Sequence, residues 1–379
     1  MGAPVPPGEG RPAAAAHEVP AEDRPRAAYR LPASLHDRIG QMILVGFRGM
    51  TARDAEPTFR QIRAGSIGAV VLYEGDSQTG GLRNIKSPAQ LSQLAADIKA
   101  AGSIPPLVTI DAEGGFFQHK LRPEFGFAPT AAARDMGERN DLALTRANAD
   151  VIAAMLAETG IDMNLAPVVD LLNPANFHAT HSRRTIDADP GVVIAHAREF
   201  ILTHHARGIL TALKHFPGLG GALQPYEPGQ GELIREWSEA ELEPFRSLIA
   251  EGLADAVLTT RVTYPQLDPD YPACLSKKIV DGLLRSQLGF DGVVISDPME
   301  MLPIWDQFGF AAGIVHAVNA GIDLVLLCNV SHVVPYSDDR ADDAIRFLTH
   351  AVERGEIAES RIDEACGRVL ALKSRFART

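Results

Sequence analysis

At 379 residues the chain is longer than a minimal domain, within the range of a single α/β barrel, and long enough to bury a core. Its 46 % hydrophobic, 22 % charged and 6 % aromatic residues are the balance of a globular enzyme and exclude a coiled coil, a collagen or bulk disorder. With 36 Lys and Arg against 48 Asp and Glu the net charge is −12, a field that repels nucleic acid and anionic lipid, so neither is expected as a partner.

In chain order, residues 1–30 mix Pro, Ala and charge without an apolar stretch fit for a signal-peptide core, and read as a disordered tail. Residues 31–379 read as one domain. No later apolar run approaches the roughly 18 residues of a membrane span. Cys274, Cys328 and Cys366 lie far apart, which offers neither a disulfide framework nor a cysteine zinc site and fits a reducing cytoplasm.

Eight short apolar runs follow: QMILVGF from Gln41, IGAVVLY from Ile67, PLVTID from Pro106, IDMNLAPV from Ile161, GILTALKHF from Gly208, ADAVLTT from Ala254, DGVVISD from Asp291 and GIDLVLL from Gly321. Such runs predict strands of a parallel sheet covered on both faces. Every gap has room for a helix. Ser87-Pro88 opens one to Ala101, Asp189-Pro190 opens one to Arg207, and Ser238 with Glu241 predicts a capping box, while Gly208, Gly252 and Gly321 are stop residues. A last helix, about Glu359 to Phe376, is expected to pack outside the sheet. Eight alternating units predict a (β/α)8 TIM barrel. The first strand leads into GFRGMTARD, which lacks the glycine spacing of a dinucleotide site.

Active sites of such barrels lie at the C-terminal ends of the strands. The runs end in Asp111 with Glu113 beyond it, Asp170, Lys214 and His215, Arg261, and Asp297. One such residue alone reads as a turn or cap. Five neighbouring strands ending this way suggest a charged cup for a hydroxyl-rich ligand. Metal-ligand spacing is missing, and Lys214 and Arg261 would set positive charge beside an ion, so no metal or cofactor is expected; His178 and His181 are the nearest thing to a ligand pair.

The segments VTIDAEGGFFQ, IDMNLAPVVDLLNP, SRRTIDADP, TALKHFPGLGG and GFDGVVISDPMEM, in this order, resemble glycoside hydrolase family 3, and more narrowly its single-domain bacterial β-N-acetylhexosaminidase branch. The resemblance covers nearly everything after residue 35. It implies a retaining exo-glycosidase acting on a carbohydrate, with Asp297 as the nucleophile that forms a glycosyl-enzyme. It also implies that Asp111, Arg184, Lys214 and His215 hold sugar hydroxyls. Lys214, if close, would keep Asp297 ionised.

Three departures accompany the matches. The branch carries an Asp-His acid/base dyad on the loop after strand five, but this chain reads KHFPGLGGALQPYEPGQGE and sets Pro225, Tyr226 and Glu227 there. Glu227 is the candidate acid/base and Glu232 the second. EGGFFQHK puts Phe116 and Phe117 after the glycines and His119 where the branch has a substrate-binding Arg. A longer stretch between Asp170 and Arg184 carries His178 and His181 toward the rim. Together these predict a substrate other than the N-acetylglucosaminyl muropeptide usual for the branch. A transglycosylase or phosphorylase, and a catalytically silent sugar-binding barrel, are the competing classes; retention of Asp297 speaks against the silent barrel.

Overall fold

The computed structural model describes residues 29–115, 120–176, 182–227, 231–331 and 334–375, with the side chains of 225–227 outside that description. Residues 1–28 of the expected tail lie outside the described residues. Tyr29, inside the stretch expected to be a tail, has its N–H 3.4 Å from Ser374 Oγ.

All eight apolar runs become barrel strands. These are β1 (Ile43–Gly46), β2 (Ala69–Leu72), β3 (Leu107–Ile110), β4 (Met163–Asn164), β5 (Leu210–Phe216), β8 (Ala256–Thr259), β11 (Val293–Ile295) and β12 (Val325–Leu327). They pair in the order β11-β8-β5-β4-β3-β2-β1-β12, and every pairing is parallel. A parallel bridge between Ile295 and Leu324, with the Ser296 N–H donating to the Leu324 carbonyl at 3.1 Å, joins the two ends and closes the ring. β4 is shorter than its run because Pro167 has no N–H to give the ladder; pairing resumes at Val168 with Lys214.

Side chains alternate as strand geometry requires. Leu44, Ala69, Val71, Leu210, Ala212, Val293 and Ile295 fill the barrel interior, while Ile43, Val45, Val70, Leu72 and Val294 pack outward against the helices. The expected helices form, Pro88–Ala101 with Ser87 Oγ accepting from the Gln90 N–H and Pro190–Ala206 with Asp189 accepting from the Gly191 and Val192 N–H groups. Pro at the first position of each loses no bond, since that N–H has no partner in a helix.

Two expectations are corrected. The last helix, Glu359–Ser374, does not simply flank the barrel: Val369 and Leu372 join the interior cluster, and Arg361 and Arg368 reach the fully buried Asp323 just before β12. It closes the N-terminal end, where interior side chains would otherwise meet water. Phe376 lies outside the described residues.

The segment after β5 is a ribbon, not a plain loop. β6 (Leu223–Glu227) and β7 (Gly231–Ile234) pair antiparallel, and with β9 (Thr263–Tyr264) and β10 (Asp268–Pro272) they make a second sheet of order β10-β9-β7-β6. β6 is an edge, the place in a sheet where Pro225 is tolerated. Among the described residues no helix is long and apolar enough to cross a membrane.

Candidate active site

The parallel barrel sends the chain out of every strand at the same end, so the charged residues beyond β3, β4, β5, β8 and β11 converge on one cup. On one side stands Lys214, whose side chain is 2 % exposed. Its Nζ donates to Asp111 Oδ1 at 2.7 Å and lies 2.6 Å from Glu113 Oε1. Arg184 grips Glu113 with both prongs of its guanidinium, at 2.7 and 2.8 Å, and its Nη2 is 3.4 Å from His215 Nε2. His215 Nδ1 lies 2.7 Å from Asp170 Oδ2, and Asp170 Oδ1 accepts the backbone N–H groups of His215 and Leu219.

Burial alone would raise Glu113, but Arg184 and Lys214 override it and hold the carboxyl well below the usual range. Asp111 is lowered in the same way, burial being outweighed by Lys214 and then Lys120, and Asp170 is lowered by His215 against its own burial. Lys214, which burial would neutralise, is kept charged by Asp111 and Glu113. This side is therefore a set of fixed charges whose mutual contacts replace water.

The opposite side is sparser. Asp297 follows β11 and is 6 % exposed. Its Oδ2 accepts the Arg261 backbone N–H at 2.7 Å and lies 3.4 Å from Arg261 Nη1; among the described residues no hydrogen bond reaches Oδ1. Arg261 Nη2 lies 2.9 Å from Glu232 Oε2 on β7. Burial would lower the Arg261 guanidinium, and Asp297 and Glu232 together hold it raised. The cation expected beside Asp297 is thus corrected: Arg261 holds it, and Lys214 is engaged by Asp111 and Glu113.

The turn after β5 is pinned from behind. Glu241 belongs to the short turn Glu239–Leu242 capped by Ser238, whose Oγ accepts from the Ala240 N–H. The reciprocal half of the expected capping box is not made, because Glu241 points inward and Oε2 accepts the Leu171 N–H at 3.2 Å. A Cβ on Gly220 would come 2.2 Å from Glu241 Oε1, and one on Gly218, with φ +112, would come 2.4 Å from Glu241 Cβ, so both positions need glycine. Burial, and then the neighbouring Asp170, push the Glu241 carboxyl up to about 8.

Of the residues expected from sequence, Asp111, Arg184, Lys214 and His215 meet in one network and Arg261 and Asp297 in the other. Glu113 and Asp170, noted only as strand-end charges, are the hubs of the first. His119, Phe116, Phe117, His178 and His181 lie outside the described residues. Glu227 ends β6 opposite Gly231, and its side chain is outside the description. Lys120, one residue past His119, was missed: its Nζ is 4.0 Å from Asp111 Oδ2 and 5.1 Å from the centre of the Tyr73 ring. Tyr73 itself was hidden at the end of an apolar run; its hydroxyl is 2.7 Å from Cys328 Sγ. Among the described residues no group of three His, Cys, Asp or Glu is arranged to hold a metal ion.

Comparison with known proteins decides what such a cup belongs to. The model of the glycosyl hydrolase family 3 N terminal domain matches residues 34–372. The chain belongs to glycoside hydrolase family 3. It is 35 % identical over 298 residues to a beta-hexosaminidase of Xanthomonas euvesicatoria pv. vesicatoria, an alignment that covers 76 % of this chain and 84 % of the relative. The fold agrees with that of a family 3 beta-N-acetylglucosaminidase from Paenibacillus sp. str. FPU-7, with TM-score 0.81 and 32 % identity over 91 % of this chain; the match spans only 63 % of the Paenibacillus chain. A beta-N-acetylhexosaminidase from Beutenbergia cavernae matches with TM-score 0.74 and 32 % identity, over 91 % of this chain and 99 % of its own. This family 3 member is a glycoside hydrolase that resembles the hexosaminidases, and the barrel expected from its sequence is the fold it shares with them.

Proposed function

We propose that the cup is the terminal-sugar subsite of a retaining exo-glycosidase acting on a small glycoside or glycoconjugate. Asp297 is the nucleophile. The observation that carries this role is its geometry: one carboxylate oxygen is tied to Arg261, and among the described residues no hydrogen bond occupies Oδ1, the oxygen that would attack an anomeric carbon. Asp111, Arg184, Lys214 and His215 bind the sugar hydroxyls, and Arg261 serves the site through its hold on Asp297. His119 belongs to the same proposal as a further sugar contact. The second group that a retaining pair requires comes from the ribbon after β5, where Glu227 and Glu232 stand.

The curated relatives' name supports an N-acetylhexosamine as the sugar. The Phe pair and the absent Asp-His dyad favour an aglycone unlike the usual muropeptide. A cytoplasmic location is supported by three buried, unpaired thiols, which a reducing compartment preserves. The test is hydrolysis of an aryl N-acetyl-β-glucosaminide followed by NMR. Retention predicts the β-anomer of the free sugar as first product. First release of the α-anomer, or no turnover of any aryl glycoside in a panel, would overturn the reading.

A further inference from the structure

The proposed reaction needs a proton at two moments. In the first step Asp297 bonds to the anomeric carbon while the glycosidic bond breaks, and its electron pair leaves on an oxygen that must take up a proton. In the second, water gives up a proton as its oxygen bonds to the same carbon and Asp297 departs with its pair. One group serves both steps, and in this chain the family-like dyad is absent.

We propose that Glu232 is that acid/base, a role that rests on the reading of Asp297 above. Glu232 sits on β7, and Ile234, two residues on and so on the same face of the strand, is fully buried in the core. That face is turned into the molecule, which leaves Glu232 with a side chain only 12 % exposed. The ribbon is seated as well as paired. A Cβ on Gly231 would lie 3.0 Å from Gln307 Nε2, on the helix Leu302–Phe308 that follows β11, so the strand bearing Glu232 rests on the element next after Asp297.

Arg261 bridges the two carboxyl groups with one guanidinium, Nη1 at 3.4 Å from Asp297 and Nη2 at 2.9 Å from Glu232. Charge balance points the same way. Two carboxyl groups share one cation. Asp297 has the Arg261 backbone N–H in addition to the guanidinium, whereas among the described residues Glu232 is held by Arg261 Nη2 alone, at 3.2 Å from Oε1 and 2.9 Å from Oε2. In the proposed role Glu232 enters the first step carrying a proton. It gives that proton to the leaving oxygen, takes one from the attacking water, and ends as it began.

The experiment compares Glu232→Ala and Glu232→Gln with the full-length wild type on an alkyl and a 2,4-dinitrophenyl N-acetyl-β-glucosaminide. Thermal melts check the fold, and the glutamine variant keeps an oxygen for Arg261. Loss of an acid/base predicts about a 10²–10⁴-fold fall on the alkyl substrate, with the glycosylation burst on the dinitrophenyl substrate nearly retained. Added azide should speed turnover of the alanine variant and yield a β-glycosyl azide. An equal fall on both substrates with no azide product would overturn the proposal, reducing Glu232 to a positioning residue for Arg261. So would the same leaving-group signature appearing in Glu227→Ala and not in the Glu232 variants. Either result leaves Asp297 untouched, whereas full activity of Asp297→Ala would remove the reading on which the proposal rests.

Discussion

The two sides of the cup differ in how their charges are balanced. Around Lys214, the carboxylates Asp111, Glu113 and Asp170 meet Lys214, Arg184 and His215 at close range, with Lys120 near the rim. Around Arg261, two carboxyl groups share one guanidinium. The first arrangement is rigid and saturated, suited to holding hydroxyl groups in one orientation. In the second, two carboxyl groups share one cation, and among the described residues no hydrogen bond reaches Asp297 Oδ1, an arrangement suited to the bond making and proton transfer proposed for it. In the proposed reading, binding and chemistry fall to different strands: β3, β4 and β5 for one, β7, β8 and β11 for the other.

Substitution at Asp297 tests the division most severely. Asp297→Ala should lower kcat by more than about 10³-fold with the melting temperature little changed, as expected when covalent catalysis is removed from a strand end outside the core. A variant keeping over a tenth of wild-type rate would break the comparison. On the binding side the larger effect should be on stability. Lys214→Met removes the close cation of Asp111 and leaves Glu113 to Arg184 alone, in a buried site where breaking a charge pair costs about 3–5 kcal/mol. Arg261→Met should cost less by the same denaturant titration, since its side chain is 22 % exposed against 2 % for Lys214. Equal losses would show that the two sides are not built differently.

Glu241 supplies a test by pH. Its folded carboxyl lies at about 8, above an ordinary value of 4.5, so the folded state holds the proton more tightly than the unfolded chain. The stabilisation is complete below about 4.5 and is lost as pH rises through about 8. Glu241→Gln cannot ionise and still offers an oxygen to the Leu171 N–H. Its melting temperature should match wild type near pH 4.5 and exceed it increasingly up to pH 9. A constant difference across that range would contradict the assignment. The smallest effect is expected at Lys120, whose contact with Asp111 is long. Lys120→Met should raise KM about two- to five-fold with kcat unchanged, the scale of a partly exposed charge pair.

Much of this was legible in the residues. Each of the eight apolar runs became a barrel strand because a strand covered on both faces must be apolar along its length, and that leaves a direct trace. Asp111, Asp170, Lys214, His215, Arg261 and Asp297 were legible as candidates for one cup because charge at the end of such a run is costly without a partner. Pairing was not. Lys214 is a long side chain that reaches across strands, and nothing in its spacing tells Asp111 from Asp297. The ribbon after β5 was hidden by Pro225 and by a polar composition typical of loops. Glu241 carried the spacing of a capping box, but tertiary contact with Leu171 won over the local bond. Lys120 lies past the glycines of EGGFFQHK, where no strand end or helix signal marks it.

The most direct test of the division is to trap the intermediate. A panel of 2-fluoro and 5-fluoro glycosyl fluorides, read by intact mass and peptide mapping, should label the wild-type enzyme once, with the sugar on the peptide containing Asp297 and no label in Asp297→Ala. A stable adduct on any other residue, Glu232 included, would contradict the account.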